Sequence, residues 1–197
     1  MIYKQTAYIF ILIFFLGCKS NKDLNAKNEI WWKETVFYQI YMPSYADSNG
    51  DGYGDFKGMT KKLDYLKDLG IKGIWLTPFL ASPKVDNGYD VANYYEIDPT
   101  YGTKTDFDIF ISEAHKRSIK VIMDLVVNHT STDSKWFQES RKSVDNPYRD
   151  YYIWKNQPNN WESFFGGTAW QKDTLTNQYY YHKFDKRMAD LNWSNPK

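Results

Sequence analysis

The sequence predicts an α/β fold built on a parallel sheet. Short apolar-aromatic runs alternate with segments whose apolar residues recur at helical spacing. One run, Val121-Ile122-Met123-Asp124-Leu125-Val126-Val127, is nearly unbroken, as suits a strand buried on both faces of a parallel sheet. Polar loops rich in Asp, Asn and Gly follow the candidate strands, where α/β folds build their sites.

The elements follow in order. Residues 1–18 carry Lys4 and then a ten-residue apolar run, Ala7 to Leu16. A transmembrane helix needs about 20 residues, so the run fits a signal-peptide core instead. Gly17-Cys18 at its end resembles a bacterial lipoprotein signal, with Cys18 as the lipidated new N-terminus. That implies an exported, membrane-anchored lipoprotein of a Gram-negative-type envelope, periplasmic or at the cell surface. Residues 19–30 are polar and read as a flexible tether. Val36 to Tyr41 is the first strand candidate, and Asp47 to Asp55 a loop. Met59, Leu63, Leu66 and Leu69 mark an amphipathic helix ended by Gly70. Gly73 to Leu76 is the second strand, stopped by Thr77-Pro78. Thr105 with Asp108 resembles a helix cap, and Phe107, Phe110, Ile111 and Ala114 give that helix one apolar face. The Val121–Val127 strand closes a strand-helix-strand-helix-strand order over residues 31–127. Residues 128–197 are rich in Trp, Tyr, Phe, Asn and Gly with weak periodicity. A short helix from Trp136 to Lys142 and a strand from Gln178 to His182 are expected there. So long an irregular stretch after a buried strand reads as an inserted subdomain that carries function.

Composition excludes several classes. The 197 residues are 42% hydrophobic, which is globular rather than disordered. Lys plus Arg is 25 and Asp plus Glu is 24, so no basic excess marks a nucleic-acid binder. Cys18 is the sole cysteine, which rules out an internal disulfide framework and a Cys-based zinc site. Aromatic residues make up 19%, a surplus that suits a surface stacking on flat ligand faces as well as a core.

Three motifs carry chemistry. Asp47, Asn49, Asp51, the Tyr53 carbonyl and Asp55 stand at the first, third, fifth, seventh and ninth places of a calcium-type loop, with Gly52 at the turn. Gly58 stands where a complete EF-hand needs Glu. Hard oxygen ligands point to Ca²⁺, with Mg²⁺ the alternative. Asp86-Asn87-Gly88-Tyr89-Asp90 follows the second strand. Asp124-Leu125-Val126-Val127-Asn128-His129 ends the third, and a carboxylate within an apolar strand demands a partner.

These residues resemble the α-amylase family of glycoside hydrolases, from about Trp31 to Lys197. Val36–Tyr41 with the Asp47–Asp55 loop is similar to that family's first strand and metal loop. Asp124 to His129 is similar to its first conserved region, and Asp190-Leu191-Asn192 to the short motif of its inserted domain. The Asp86–Asp90 block, Phe165 to Trp170 and Asp190 to Trp193 resemble the oligo-1,6-glucosidase and α-glucosidase branch most. The resemblance implies the N-terminal part of a (β/α)₈ TIM barrel with a subdomain inserted after the third strand. It implies that Asp86, Tyr89 and His129 line the subsite for a non-reducing glucose, that Phe165 and Phe184 flank the substrate, and that Asp124 is a structural aspartate orienting a later arginine. The substrate implied is an α-glucan oligosaccharide. Two departures stand out. Met188-Ala189 replaces the usual Gln-Pro, which opens the linkage specificity, and Met42-Pro43 replaces Pro-Arg.

Retaining glycoside hydrolysis needs two carboxylates about 5–5.5 Å apart. In the family resembled they follow the fourth and fifth strands, and no Gly-Phe-Arg-x-Asp-like segment occurs after Asp190. The chain therefore reads as the N-terminal part of a retaining α-glucoside hydrolase, inactive alone. An endo-acting α-amylase and a non-catalytic surface glucan-binding protein are the alternatives.

Overall fold

The computed structural model describes residues 30–196. Cys18, the signal segment and nearly all of the tether lie outside the described residues. Ile30 to Glu34 belong to a separate unit, a 3₁₀ turn over Trp31–Glu34 with the two Trp rings edge to face at 6.0 Å. From Thr35 onward the residues form one compact unit.

That unit begins with β1 (Phe37–Ile40), shorter at both ends than the expected strand. A single turn, α1 (Met42–Tyr45), follows and buries Met42. The Asp47–Asp55 loop then returns the chain to α1, where the Gly54 amide donates to the Pro43 carbonyl and the Asp55 amide to the Ala46 carbonyl, both at 2.9 Å. The Asp55 carboxylate caps α2 (Phe56–Lys61) by accepting from the Gly58 amide. After a break at Lys62, α3 (Leu63–Asp68) buries Leu63 and Leu66. Leu69, expected on the same face, is 54% exposed. It is the C-cap of α3, and the turn at Gly70 hands its core place to Ile71.

Next come β2 (Gly73–Leu76) and a hairpin of β3 (Leu80–Ala81) and β4 (Asn93–Ile97). The helix α4 (Lys104–Lys116) is capped by Thr103, two residues ahead of the expected cap. Thr103 and Asp106 form a reciprocal capping box, so Thr105 lies within the helix. Phe110 and Ala114 are buried, with Phe107 and Ile111 packed against the same core.

β5 (Lys120–Met123) completes a parallel sheet in the order β1-β2-β5. The register aligns Tyr38, Ile74 and Val121 in one row and Ile40, Leu76 and Met123 in another. Alternation puts both rows on one face. Ile40, Ile74 and Leu76 are buried there with Phe56, Met59, Leu63, Leu66, Phe110 and Ala114 of the helices. The row Gln39, Trp75 and Ile122 faces the other way. The expected Val121–Val127 strand is a correction on two counts. Its pairing stops at Met123, and Ile122, Met123, Leu125 and Val127 are exposed. Among the described residues β5 is one of the sheet's two edge strands, and no strand pairs with its outer side.

Beyond Asn128 the chain builds a second, aromatic core. β6 (His129–Ser131) leads to α5 (Lys135–Ser140), the short helix expected near Trp136. β7 (Trp154–Lys155), β8 (Trp170–Lys172) and β9 (Tyr179–Tyr181) form an antiparallel sheet with β9 in the middle. β10 (Met188–Asp190) returns to pair with β6. Phe137, Tyr152, Tyr180 and Ala189 are buried together. Arg149 stacks on Trp154, 3.5 Å from the ring centroid, with Phe137 stacked on the same indole at 5.7 Å. The second core is tied to the first part of the chain: the Tyr94 hydroxyl donates to the Val126 and His129 carbonyls, and the Ser131 amide to the Val91 carbonyl. Among the described residues no helix is long and apolar enough to cross a membrane.

Candidate active site

The loops that leave β2 and β5 meet. Asp86 to Tyr89 is a tight turn closed by the Tyr89 amide donating to the Asp86 carbonyl at 2.9 Å. Its central residues, Asn87 (φ 50°) and Gly88 (φ 99°), both adopt the left-handed conformation that Asn-Gly pairs favour. A Cβ at Gly88 would also fall 2.9 Å from the Pro78 carbonyl oxygen, so only glycine lets the turn lie against Pro78.

The turn aims Tyr89 at Asp124. The phenol donates to Asp124 Oδ2 at 2.8 Å, and the Trp75 indole N–H donates to Oδ1 at 2.6 Å. Burial and then the Asp124 carboxylate push the Tyr89 phenol up to about 12, so it remains a donor. Among the described residues Asp124 thus holds two neutral donors. Trp75 carried no signal of this role. It stands beside Ile122 in the sheet register, on the face that Asp124 also takes two residues on, and that pairing is invisible until strands are aligned.

His129 lies next to the same turn. Its Nε2–H donates to the Tyr89 carbonyl at 3.1 Å, and its Nδ1 accepts from the Asn128 amide at 3.2 Å. These partners define the neutral tautomer protonated on Nε2. Burial holds the ring below the usual histidine range, against the pull of the Asp190, Asp86 and Asp90 carboxylates. Asn128 also donates to Asp190 Oδ1 at 3.0 Å, and the Lys183 amide to Oδ2 at 2.7 Å. Burial nevertheless raises Asp190 above the ordinary carboxylate value. The Asp86 carboxylate differs from these groups. Among the described residues it accepts no hydrogen bond, so its oxygens remain available to a ligand.

Phe184 stands 5.4 Å from the His129 ring, and Phe165 lies 5.9 Å from Phe184. Phe164, not singled out in the sequence, joins them 5.9 Å from Phe184. A cavity of about 300 Å³ opens beside Phe165, Phe184 and His182. The structure therefore brings Asp86, Tyr89, His129, Asp124 and Phe184 together, with Phe165 at the outer edge. Met188 is buried in β10, and Met42 is buried with its amide donating to Thr77.

The Asp47–Asp55 loop forms a separate cluster. Asp47 accepts from the amides of Asn49, Gly50 and Gly52, which hold its carboxyl below the usual range. Asn49 accepts from the Asp51 amide, and Asp51 from the Tyr53 amide. Asp55 accepts from Ser48 and Gly58; burial pushes its carboxyl up, and these amides outweigh that. Among the described residues no group of three or more His, Cys, Asp and Glu is gathered closely enough to hold a metal ion. The donor set is nonetheless all oxygen, three of its members are acids, and among the described residues no ion pair to Lys or Arg offsets them.

Comparison with known proteins adds the lineage. The alpha amylase catalytic-domain model matches residues 39–197. The chain is 57% identical over 173 residues to the oligo-1,6-glucosidase of Parageobacillus thermoglucosidasius, covering 85% of this chain and 31% of that protein. It is 57% identical over 171 residues to the trehalose-6-phosphate hydrolase of Bacillus subtilis strain 168, with 84% and 30% covered. Among solved structures it is similar to the trehalulose synthase MutB, with a TM-score of 0.83 and 54% identity over 84% of this chain and 31% of that one. The chain thus spans about a third of the length of these relatives. By the match over most of its length, the chain belongs to the alpha-amylase family and carries the N-terminal part of that family's TIM-barrel catalytic domain.

Proposed function

We propose that this chain is the sugar-holding N-terminal part of a retaining α-glucoside hydrolase of the oligo-1,6-glucosidase or α-glucosidase type, acting on starch- or glycogen-derived oligosaccharides. The observation that supports it most is the junction of Tyr89 with His129, beside an Asp86 carboxylate that no donor among the described residues occupies. A terminal glucose offers an apolar ring face and a fan of hydroxyls. Tyr89 would meet the ring face with its own. Asp86 would accept from hydroxyls at the blind end, which favours removal of a terminal unit. His129 Nε2–H already serves the Tyr89 carbonyl, so a hydroxyl would share it. Phe165 and Phe184 would bound the next sugar. The two carboxylates that retention requires are assigned to no residue of this chain.

Calcium is the proposed occupant of the Asp47–Asp55 loop, where Asp47, Asn49, Asp51, the Tyr53 carbonyl and Asp55 would hold it as a structural ion. Three acids within nine residues, without cationic partners among the described residues, suit a hard divalent cation. Lipid attachment at Cys18 is likewise proposed, from the signal-like sequence before it, and mass spectrometry of the mature N-terminus tests it.

The decisive experiment expresses the complete coding sequence and follows products from maltotriose, isomaltotriose and starch. Early release of glucose together with the substrate shortened by one unit, maltose from maltotriose or isomaltose from isomaltotriose, with no mid-sized oligosaccharides from starch, supports the proposal. Mixed oligosaccharides from starch would favour an endo-acting amylase, and saturable binding without hydrolysis a glucan-binding protein.

A further inference from the structure

The turn that carries Asp86 and Tyr89 is wound around one side chain that faces away from solvent. Asp90 is 0% exposed. Its Oδ1 accepts from the Ser82 hydroxyl at 2.8 Å and from the Asp86 amide at 3.2 Å, and its Oδ2 accepts from the Val85 amide at 2.9 Å. The Ser82 hydroxyl in turn accepts from the Lys84 amide at 2.8 Å. Nearby cations are engaged elsewhere: Lys84 pairs with Asp98 at 3.2 Å and Arg187 with Asp185 at 2.9 Å. A buried carboxylate without a cation is costly unless donors fill its oxygens. Here the loop itself supplies three, so the loop cannot leave without baring the charge.

The anchor is itself fixed. On either side of Asp90, the His129 ring donates to the Tyr89 carbonyl and the Ser131 amide to the Val91 carbonyl. The Ala92 amide donates to the Ala81 carbonyl at 2.8 Å, which closes the hairpin. Asp90 is therefore clamped to β6, the strand that begins with His129. Its carboxylate sets the distance from that strand to the Asp86 backbone. The Asp86 carboxylate has no donor of its own among the described residues, so its pose is inherited from this backbone.

We propose that Asp90 is a positioning residue for sugar binding: by holding the amides of Val85 and Asp86 it presents the Asp86 carboxylate to the ligand without touching it. The proposal rests on reading Asp86 as a sugar ligand, and its test separates the two. Asp90→Asn keeps the shape but replaces one accepting oxygen with an NH₂ group, so at least one of the three donors loses its acceptor. Hydrogen exchange at the Val85 and Asp86 amides should quicken by about tenfold or more, while amides of β1 and β2 keep their rates. In the protein expressed from the complete coding sequence, the KM for p-nitrophenyl α-glucoside and the inhibition constant of glucose should rise together by about tenfold, with kcat within about twofold. The Asp86→Asn/Asp90→Asn pair should raise KM no further than Asp86→Asn alone, because both act through one carboxylate.

Unchanged exchange at Val85 and Asp86 would overturn the proposal, and so would KM effects that multiply in the pair. Should Asp86→Asn alone leave KM and glucose inhibition unaltered, the sugar-ligand reading fails instead, and the exchange data still judge the hold of Asp90 on the loop. If Asp90→Asn does not fold, Ser82→Ala removes a single donor. It should shift exchange and KM in the same direction by about threefold, and no shift there counts against Asp90.

Discussion

Asp124 shows how a single residue is legible in kind and hidden in detail. An acid inside an apolar run announces a buried carboxylate that needs donors. Which donors it finds depends on strand register and on the Asn-Gly turn, so Trp75 and Tyr89 emerge only in three dimensions. Asp124→Asn presents one accepting oxygen to two donors. It should cost about 1–3 kcal/mol, read as a lower urea midpoint at constant m-value. Tyr89→Phe, which removes one donor and leaves the carboxylate with Trp75, should cost less. His129 gives a pH signature. Its folded-state value is lowered by burial, so the unfolded chain takes up a proton on this ring at higher pH than the folded one. Stability from the neutral ring is present above the unfolded value of about 6.5 and is lost as pH falls below it toward the folded value. Unfolding free energies measured between pH 7 and 5 should therefore decline in the wild type, and decline less in His129→Gln.

At the level of elements, periodicity found most helices and strands, while the boundaries moved for local reasons. Thr103 and Asp106 close a capping box, so α4 begins ahead of Thr105 and its apolar face is unchanged. Leu69 keeps helical spacing but sits after the last full turn, where Ile71 reaches the core instead. Gly58 is the clearest case of an element decided by approach. In a helix interior, Gly→Ala ordinarily gains about 1 kcal/mol. In α2 a Cβ at position 58 would lie 2.1 Å from the Ala46 carbonyl oxygen, a backbone atom that cannot swing aside. Gly58→Ala should thus destabilise by about 3 kcal/mol or more through overpacking. It should also loosen the Asp47–Asp55 loop, because Asp55 caps the helix that Gly58 seats. If calcium occupies that loop, the same substitution should weaken the rise in melting temperature produced by millimolar Ca²⁺, and chelation should abolish the rise in the wild type.

For the molecule as a whole, the apolar run from Val121 to Val127 supplies a strand of the parallel sheet, but among the described residues it is not buried on both sides. Hydropathy reports what a strand is built to face, and burial reports what faces it among residues 30–196. β5 pairs with β2 on one side only, and Ile122 (42% exposed) and Leu125 (74% exposed) meet solvent. An unpaired apolar edge is a template for association, so the 197-residue chain expressed by itself should sediment as a mixture whose larger species grow with concentration. A charge at the edge works against that pairing. Leu125→Lys should shift the population toward monomer while changing the urea midpoint little, since surface substitutions usually fall within about 0.5 kcal/mol. Ile122→Lys separates the two environments of the strand. In the isolated chain it should also favour the monomer at small cost. Where further barrel strands follow and enclose the row of Gln39, Trp75 and Ile122, the same lysine would be buried without a partner and should cost several kcal/mol. A substitution that is harmless in the short chain and severe in the longer product would identify this row as barrel interior. Equal tolerance in both would mean that the apolar face of β5 stays open to water.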